Sequence, residues 1–449
     1  ALSMRDVNAW REQYCIDVQD ARAPKPVRTF LEAAFPEYLT AECEASGFNA
    51  PTPIQSQAWP TVLKGLDIIG LASTGSGKTL GFTLPAIVHI SAQDHLQAGD
   101  GPIALMLAPT RELALQIKEE CDKFGASSGI KNVCVHGGVP KGPQLRDLQQ
   151  GAEICIATPG RLLDFLNGGQ TNMRRMTYLV LDEADRMLDL GFEPQLRSIM
   201  GQVRTDRQTL MWSATWPREV ENLAREFLNK PVMVQVNNAS QLTTNVNISQ
   251  RFEVCSDAEK HGVLLAILRT IADGASKNII FCASKRGCES LRTDLRRRGY
   301  EAESIHGDKS QQERDWVMQQ FKSGGASMLI ATDVASRGID VKDVRAVVNY
   351  DAPSQAEDYV HRIGRAGRGG ATGESFTILT PADGPFAREI AMMQRRSGVP
   401  VARELLRFTA PEGRGDRGDR GDRGGDRHGD RDRGKGGGDS AHTAHRRWR

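Results

Sequence analysis

A glycine-rich stretch carries the first group of residues whose types and spacing suit chemistry. It reads ASTGSGKT at 72–79 and follows a short apolar run, although it begins with Ala where the strict phosphate-loop signature has Gly. Gly75 and Gly77 let backbone N–H groups turn toward phosphate oxygens. Lys78 is predicted to reach the β- and γ-phosphates, and the Thr79 hydroxyl to bind Mg²⁺. The residues predicted to contact the nucleotide here are Thr74, Gly75, Ser76, Gly77, Lys78 and Thr79.

An acidic stretch, YLVLDEADRML at 178–188, is the second such group. An ordinary explanation is a strand that runs into a helix, because Asp and Glu suit a helix N-terminus. A phosphate loop, however, needs an acid at the end of a neighbouring apolar strand to hold Mg²⁺. Asp182 is predicted to be that ligand, and Glu183 to polarise a water toward the γ-phosphate. Asp185 is predicted to couple the site to the rest of the protein.

Short apolar runs provide the elements that must position these residues. Most are continuously apolar, which is typical of parallel strands covered by helices on both faces. The first series is DIIGLA (67–72), IALMLAP (103–109), NVCVHG (132–137), EICIATP (153–159), YLVLD (178–182), TLMWSAT (209–215) and VMVQV (232–236). The second is ISQRFEVC (248–255), NIIFCAS (278–284), EAESIHG (301–307), SMLIATD (327–333), AVVNYD (346–351) and ESFTILT (374–380). Two series predict two α/β domains, each a mostly parallel sheet with helices on both faces.

Nearly every run ends in small or polar residues, such as APT, HGG, DEAD, SAT, CAS and ATD. In open parallel sheets, ligands bind beyond the carboxyl ends of the strands. Both predicted domains therefore carry their reactive side chains on one edge. If the two edges face each other, they form a cleft between the domains.

In this order the motifs resemble those of the DEAD-box ATP-dependent RNA helicases, a family of superfamily 2, over about residues 28 to 408. Besides the loop and the acids, the resemblance rests on PTPIQ (51–55), PTRELA (109–114), TPGR (158–161), SAT (213–215), QQER (311–314), ATDVASRGID (331–340) and HRIGRAGR (361–368). It implies two tandem RecA-like domains, ATP and Mg²⁺ as cofactors, and RNA as the partner. PTPIQSQAWP, LPAIVHI and WSATWPREV also resemble the subgroup of abundant nuclear helicases active in splicing and ribosome assembly.

The resemblance extends the nucleotide site beyond the phosphate loop. It places Gln55 on the adenine edge and makes Phe30 the isolated aromatic residue of the same motif. The Gln55 amide can both donate and accept a hydrogen bond, which matches N6 and N7 of adenine. The alternative is that Gln55 caps the helix that begins there. Asp340 is predicted to accept a ribose hydroxyl, with a helix or turn cap as its alternative.

Two arginines of the second domain, Arg365 and Arg368, are spaced to clamp the γ-phosphate as arginine fingers do. The alternative is a solvated basic helix face. His361 is predicted to bridge the γ-phosphate side to the acids and SAT, or else to be a structural histidine.

Ser213 and Thr215 belong to the motif that, in the family, couples hydrolysis to strand separation. They are predicted to hydrogen-bond Asp185, or to cap the helix that follows TWP. Both arrangements can hold together.

Six residues that follow strands or open helices are predicted to bind RNA, because backbone N–H groups and hydroxyls there hold phosphates and 2′-OH groups. They are Arg111, Gly138, Thr158, Arg161, Arg314 and Thr332. Each could instead be a cap or surface residue. No aromatic stacking platform interleaves with them, so binding of single-stranded and duplex RNA is expected to be independent of sequence.

Length and composition agree with this organisation. The 449 residues suffice for two or three domains, and 39% hydrophobic with 25% charged residues is typical of globular proteins. No apolar run is long enough to cross a bilayer. The eight cysteines include no C-x-x-C pair, so we expect no zinc site and a reducing compartment, the nucleus or the cytoplasm. A monomer is expected.

The predicted domains are an N-terminal extension (1–27), an ATP-binding domain (28–237), a linker (238–247), a helicase C-terminal domain (248–410) and a disordered tail (411–449). The tail is rich in Arg, Gly and Asp and contains 11 Lys/Arg and 8 Asp/Glu. The net charge of the whole chain is +2. The rest of the chain is therefore nearly neutral, and RNA must bind to local stripes. The tail is either a weak RNA-binding annex or a solubilising or protein-binding segment.

The leading hypothesis is an ATP-dependent RNA helicase in which joint binding of ATP and RNA closes the cleft and hydrolysis reopens it. One alternative is an ATP-gated RNA clamp that recruits partners with little unwinding. Another is a DNA translocase of the same superfamily.

Overall fold

The computed structural model describes residues 3–73, 75–236, 248–333, 341, 343–367, 372–396 and 399–409. Several predicted features lie outside these residues: Thr74, Asp340, Arg368, the linker 238–247 and the tail 411–449. The described residues contain two sheets with their helices, and both sheets belong to one compact unit. No helix in this part of the chain is long and apolar enough to cross a membrane.

The first sheet has eight strands in the order β1-β8-β2-β7-β6-β3-β5-β4. They are β1 (Ile16–Asp17), β2 (Ile68–Leu71), β3 (Ala104–Leu107), β4 (Asn132–Val135), β5 (Ile154–Ala157), β6 (Tyr178–Leu181), β7 (Gln208–Ser213) and β8 (Val232–Val236). Their helices are α1 (Met4–Gln13), α2 (Glu37–Ala45), α3 (Pro53–Leu63), α4 (Lys78–Ser91), α5 (Arg111–Gly125), α6 (Lys141–Gln149), α7 (Pro159–Asn167), α8 (Ala184–Asp189), α9 (Glu193–Met200) and α10 (Arg218–Phe227). All pairs are parallel except β1 with β8.

The second sheet has six parallel strands in the order β11-β12-β10-β13-β14-β9. They are β9 (Ile248–Val254), β10 (Lys277–Phe281), β11 (Ala302–Ile305), β12 (Met328–Ala331), β13 (Val344–Asn349) and β14 (Gly373–Leu379). The helices around it are α11 (Lys260–Ile271), α12 (Lys285–Arg297), α13 (Gln311–Ser323), α14 (Ala356–Ile363), α15 (Gly384–Arg396) and α16 (Arg403–Thr409).

Every apolar run predicted from the sequence forms a strand, and the fold class is confirmed. The central strand β3 shows why these runs are continuously apolar. Leu105 and Leu107 pack into one core layer of the first sheet, whereas Ala104 and Met106 pack into the layer on the opposite face. Successive side chains of a strand point to opposite faces, so a sheet with helices on both sides needs apolar residues at every position.

The two-residue strand β1 was not predicted, because two residues are too few to show a period. Ile16 pairs with Val236 and packs into the core beside Ile68. The segment predicted as an N-terminal extension thus contributes a helix and an edge strand to the first sheet. The domain boundaries drawn from the sequence remain predictions.

The order β2-β7-β6 brings three predicted motifs together. The phosphate loop follows β2, SAT ends β7, and the acids follow β6. Parallel strands share their direction, so their carboxyl ends meet at one edge of the sheet. The phosphate loop at 72–79 and SAT at 213–215, which are far apart in the chain, therefore become neighbours.

Trp212 of β7 lies between the two elements that flank the phosphate loop. Its buried ring lies beside Gly70, its register partner on β2. A Cβ on Gly70 would lie 2.4 Å from the Trp212 ring, and a Cβ on Gly81 of α4 would lie 3.0 Å from it. The two glycines therefore leave room for the Trp212 ring to pack against β2 and α4, the elements that hold the phosphate loop.

We expect Gly70→Ala to lower the free energy of unfolding by about 1–3 kcal/mol, because the added methyl group overpacks the core. The measurement is the midpoint of urea unfolding of the first domain. Gly142→Ala on α6 is the control, because a Cβ at that position meets nothing within 4 Å. Its effect should stay within about 0.5 kcal/mol, and equal midpoints for the two variants would contradict the role of Gly70.

Candidate nucleotide and nucleic-acid site

The phosphate loop has the geometry of an anion site at a helix N-terminus. α4 begins at Lys78, and Gly77 before it is left-handed at φ 89°. The buried Lys78 ammonium donates to the carbonyl oxygens of Ala72 at 2.6 Å and Ser73 at 2.9 Å. Within the described residues, the buried Ser76 hydroxyl has no hydrogen-bond partner. The first-turn N–H groups of α4, the ammonium and this hydroxyl are donors that phosphate oxygens can satisfy.

Of the acids after β6, Asp182 and Asp185 are buried, whereas Glu183 is half-buried and has a strained backbone. Burial raises the pKa of the Asp182 carboxyl to about 7, with the charge of Lys78 opposing the shift and that of Glu183 adding to it. Glu183 is left-handed at φ 52°, and its N–H donates to Asp182 Oδ1 at 3.0 Å. A Glu in this conformation costs about 1–3 kcal/mol, and such strain concentrates at functional sites. A cation beside Asp182 would favour its ionised form.

The donor set suits Mg²⁺ held jointly with a nucleotide. No group of three or more His, Cys, Asp or Glu side chains that could hold a metal occurs in the described part of the chain. Asp182 lies at the end of β6, and Thr79 is in the first turn of α4. One carboxylate and one hydroxyl match the way Mg²⁺ binds, because it takes its remaining ligands from phosphates and water.

Asp185 joins the acids to the SAT motif. Its Oδ2 atom accepts from the Thr215 hydroxyl at 2.8 Å and from the backbone N–H groups of Thr215 at 3.0 Å and Ala214 at 3.3 Å. The hydrogen bond predicted between Thr215 and Asp185 is therefore present. This hydrogen bond ties α8, which contains Asp185, to the residues that follow β7.

The bond predicted from Ser213 to Asp185 is absent among the contacts of the described residues. Among the described residues, the buried Ser213 hydroxyl has no hydrogen-bond partner, and the Ser213 carbonyl accepts from the Ala72 N–H at 3.2 Å. Ser213 is the last residue of β7, so its backbone continues the ladder with β2. The capping alternative is also wrong, because Pro217 precedes α10 and no side chain caps that helix.

Helix α14 of the second domain contacts the acids. His361 Nε2 lies 3.8 Å from Asp185 Oδ2, and both side chains are buried. Arg365 is buried as well, and its Nε atom donates to the His361 carbonyl at 3.3 Å. The alternative of a solvated basic face is therefore wrong for Arg365. Arg368 lies outside the described residues.

Arg362 is a functional-site residue that the sequence reasoning missed. Its Nε and Nη2 atoms donate to the two carboxylate oxygens of Asp333 at 2.5 and 2.6 Å, and Nη1 donates to the Asp351 carbonyl at 2.7 Å. It thereby ties α14 to the end of β12, where the ATD motif lies. The available signal was the Asp that ends that motif, since a buried arginine requires an acidic partner.

Gln55 uses its amide within the protein. Its Oε1 atom accepts from the Thr52 N–H at 3.0 Å, which completes a capping box at the start of α3. Its Nε2 atom donates to the Gly77 carbonyl at 2.9 Å. The capping alternative is thus present, and it is combined with a contact to the phosphate loop. An adenine contact would require Gln55 to exchange one of these bonds.

Phe30 is largely used in packing. Its ring is buried in a cluster around α3 and lies 5.9 Å from the Trp59 ring, measured between centroids. Little of the ring remains for an adenine, so the stacking role stays a prediction.

Two of the predicted RNA residues of the first domain, Arg111 and Gly138, lie close to α13 of the second. Arg111 Nη2 donates to Asp315 Oδ2 at 3.0 Å. Its Nε and Nη1 atoms are buried and make no hydrogen bond to any described residue. Gly138 is left-handed at φ 81°, and a Cβ there would lie 3.4 Å from Gln311 Oε1. The unused donors of Arg111 suit an anionic backbone.

The other predicted RNA residues divide into supporting and available groups. Arg161 donates to the Val139 carbonyl at 2.9 Å and to Gln144 Oε1 at 3.1 Å, so it supports the turn that contains Gly138. Thr158 precedes α7 at its N-cap without a side-chain bond. Arg314 Nε is buried and finds no partner in the described structure. Thr332 follows β12 and is buried.

Comparisons with known proteins agree with this site. Residues 52–223 match the DEAD/DEAH box helicase family, and residues 259–370 match the helicase conserved C-terminal domain. The chain is 53% identical over 414 residues to DEAD-box ATP-dependent RNA helicase 20 of Arabidopsis thaliana, covering 92% of this chain and 82% of that one. It is 54% identical over 417 residues to ATP-dependent RNA helicase dbp2 of Aspergillus niger, covering 92% and 74%.

Solved structures show the same two-domain architecture. S. cerevisiae Dbp5 bound to RNA and ADP BeF3 matches with a TM-score of 0.71 at 28% identity, covering 85% of this chain and 98% of that one. The yeast DEAD-box splicing factor Prp28 matches with a TM-score of 0.53 at 31% identity, covering 93% and 96%. With matches of this extent in both halves, the chain belongs to the DEAD-box family of ATP-dependent RNA helicases.

Proposed function

We propose that this helicase hydrolyses ATP in the cleft between its two sheets and uses closure of that cleft to separate short RNA duplexes locally. The observation that carries the proposal is the approach of His361 to Asp185 across the cleft. It puts α14, with Arg365, against the acids that follow β6. Both halves of the chain therefore contribute to one site, as hydrolysis coupled to domain closure requires.

Residues of the first domain hold the nucleotide. The N–H groups at the start of α4 and the Lys78 ammonium bind the phosphates, with Lys78 exchanging its loop carbonyls for phosphate oxygens. Thr79 and Asp182 hold Mg²⁺, which neutralises phosphate charge when it is bound. Glu183, half-buried and adjacent to Asp182, accepts a proton from the attacking water and orients it.

Residues of the second domain complete the site only when the cleft is closed. Arg365 offsets the charge that develops on the γ-phosphoryl oxygens, as an arginine finger does. His361 and Thr215 both approach Asp185, so movement of either domain reaches the same carboxylate. We propose that this contact passes the state of the nucleotide to the RNA site.

RNA lies across both domains and is held through its backbone. The free donors of Arg111 and Arg314 and the left-handed turn at Gly138 suit phosphates, which carry no sequence information. The similarity of this chain to S. cerevisiae Dbp5, whose solved structure is bound to RNA and ADP BeF3, supports the placement. Separation of duplexes is then independent of sequence.

We further propose that the protein works as a monomer in the nucleus or the cytoplasm. All eight cysteines are free thiols, which suits a reducing compartment. The role of the tail at 411–449, in binding RNA or protein partners, stays a prediction.

We expect Glu183→Gln to lower RNA-stimulated ATP turnover by about 10²–10⁴-fold, because the amide cannot accept the proton of the attacking water. Affinities for ATP and RNA should stay within twofold of wild type. Phosphate release and fluorescent-RNA anisotropy measure the two properties. Glu193→Gln on α9 removes a solvent-exposed carboxylate and is the matched control. Retained turnover in Glu183→Gln would show that Glu183 is not the base.

Removal of Mg²⁺ with EDTA should abolish turnover, and excess Mg²⁺ should restore it. Asp182→Asn should raise the Mg²⁺ concentration that gives half-maximal turnover at least tenfold, because the variant loses the anionic ligand. A titration of ATPase activity against Mg²⁺ checks this. An unchanged half-maximal concentration would show that Asp182 does not hold the metal.

Single-stranded RNA should stimulate ATP hydrolysis at least tenfold more than DNA of the same sequence. The DNA translocase alternative predicts the reverse. A strand-displacement assay under ATP turnover, with a short RNA duplex, then separates a helicase from an ATP-gated clamp. A clamp would hold the duplex without displacing a strand.

A further inference from the structure

A buried ion pair crosses the cleft beside the acids. Arg186 of α8 is buried, and its Nη1 atom donates to Asp358 Oδ1 on α14 at 2.7 Å. The same Nη1 atom donates to Asp189 Oδ2 at 2.8 Å. One guanidinium therefore joins the two domains and also holds an acid of its own helix.

The two acids differ in burial and in dependence on closure. Asp189 is on the same helix as Arg186, and its side chain is 44% exposed, so its bond does not need the second domain. The Asp358 side chain is 16% exposed and lies on the second domain. The Coulomb attraction within a buried ion pair is stronger than within one in water, because solvent screens it less. The bond to Asp358 is lost whenever the domains separate.

Burial makes Arg186 dependent on this partner. Burial lowers the pKa of the Arg186 guanidinium, but the hydrogen bond and charge of Asp358, with smaller contributions from Asp185 and Asp189, raise the pKa above its usual value. A buried charge that loses its partner is strongly destabilising. In the closed state, removal of the Asp358 carboxylate would leave the Arg186 side chain with one of these two hydrogen-bonded acids, the partly exposed Asp189.

The position of the pair links it to the reacting groups. Arg186 directly follows Asp185, and Asp358 lies three residues before His361, about one turn away on α14. The His361–Asp185 separation of 3.8 Å exceeds a hydrogen bond, whereas the ion pair is within bonding distance. The ion pair is thus the stronger constraint on where α14 sits against α8.

We propose that Arg186 and Asp358, together the closure pair, are positioning residues that set the register of α14 on α8 when the cleft closes. They act through His361 and Arg365, which the register brings to the acids and the nucleotide. The inference rests on the proposed function, because it assumes hydrolysis in the closed cleft.

The test variant is Asp358→Asn, which keeps the size of the side chain and removes its charge. Nucleotide-free protein should bind fluorescent RNA as wild type does, because the open state lacks the pair. Tightening of RNA binding by a non-hydrolysable ATP analogue should fall at least tenfold, about 1.4 kcal/mol. The kcat of RNA-stimulated hydrolysis should fall similarly, while the affinity for ATP without RNA stays within twofold.

Asp189→Asn is the matched control, because it removes the other acid from the same guanidinium within one domain. It should change analogue-dependent tightening by less than twofold. Asp358→Glu should keep most of the tightening, since the charge is retained. Arg186→Gln should lose it, and the double variant with Asp358→Asn should lose no more than the worse single variant, because the two side chains act as a unit.

The closure pair would be overturned by tightening within twofold of wild type in Asp358→Asn, or by equal losses in Asp189→Asn and Asp358→Asn. Additive losses in the double variant would also contradict it. If Arg186→Gln fails to fold, Arg186→Lys replaces it. Wild-type protein without RNA-stimulated hydrolysis would instead refute the proposed function, so the two failures are distinguishable.

Discussion

The parallel pairing of β2, β7 and β6 is the constraint on which the rest of the structure depends. It brings the phosphate loop, SAT and the three acids to one sheet edge. Helices on both faces of the sheet bury every residue of these three strands. The site can therefore keep buried charges such as Lys78 and Asp182 close together, where a flexible scaffold would let them separate into water.

That edge concentrates groups that are unfavourable without a ligand. The Lys78 ammonium donates to loop carbonyls, Asp182 has a raised pKa, and Glu183 is in a strained left-handed conformation. Phosphate oxygens would accept hydrogen bonds from Lys78, and a cation beside Asp182 would favour the ionised carboxylate. Binding of a nucleotide with its metal thus draws on energy already stored in the fold. The strain is a reason for the affinity rather than a defect of the sheet.

Three contacts that the described residues make across the cleft involve titratable side chains. Asp185 with His361, Arg186 with Asp358, and Arg111 with Asp315 each join a residue of the first domain to one of the second. Charged contacts exchange readily with water, unlike a continuous apolar interface, so they suit two domains that must separate and rejoin. Such contacts can couple the nucleotide site to the RNA site without fixing the domains permanently closed.

The sequence by itself determined the fold class, the strands and the residues at their carboxyl ends. Those properties depend on apolar runs and local motifs, and Asp182, Glu183 and Lys78 could be chosen from their neighbours in the chain alone. Only the tertiary structure decided which partner each side chain takes. Gln55 caps α3 and also binds the phosphate loop, whereas Ser213 continues a strand ladder instead of reaching Asp185.

The same limit explains Arg186, Arg362 and β1. A guanidinium looks alike in sequence whether it faces water or a buried acid, and its partners here lie 172 and 29 residues away. β1 is too short to carry a period and exists because β8 offers an open edge. Long-range pairing depends on the three-dimensional path of the chain, so it is set by packing and not by any local pattern.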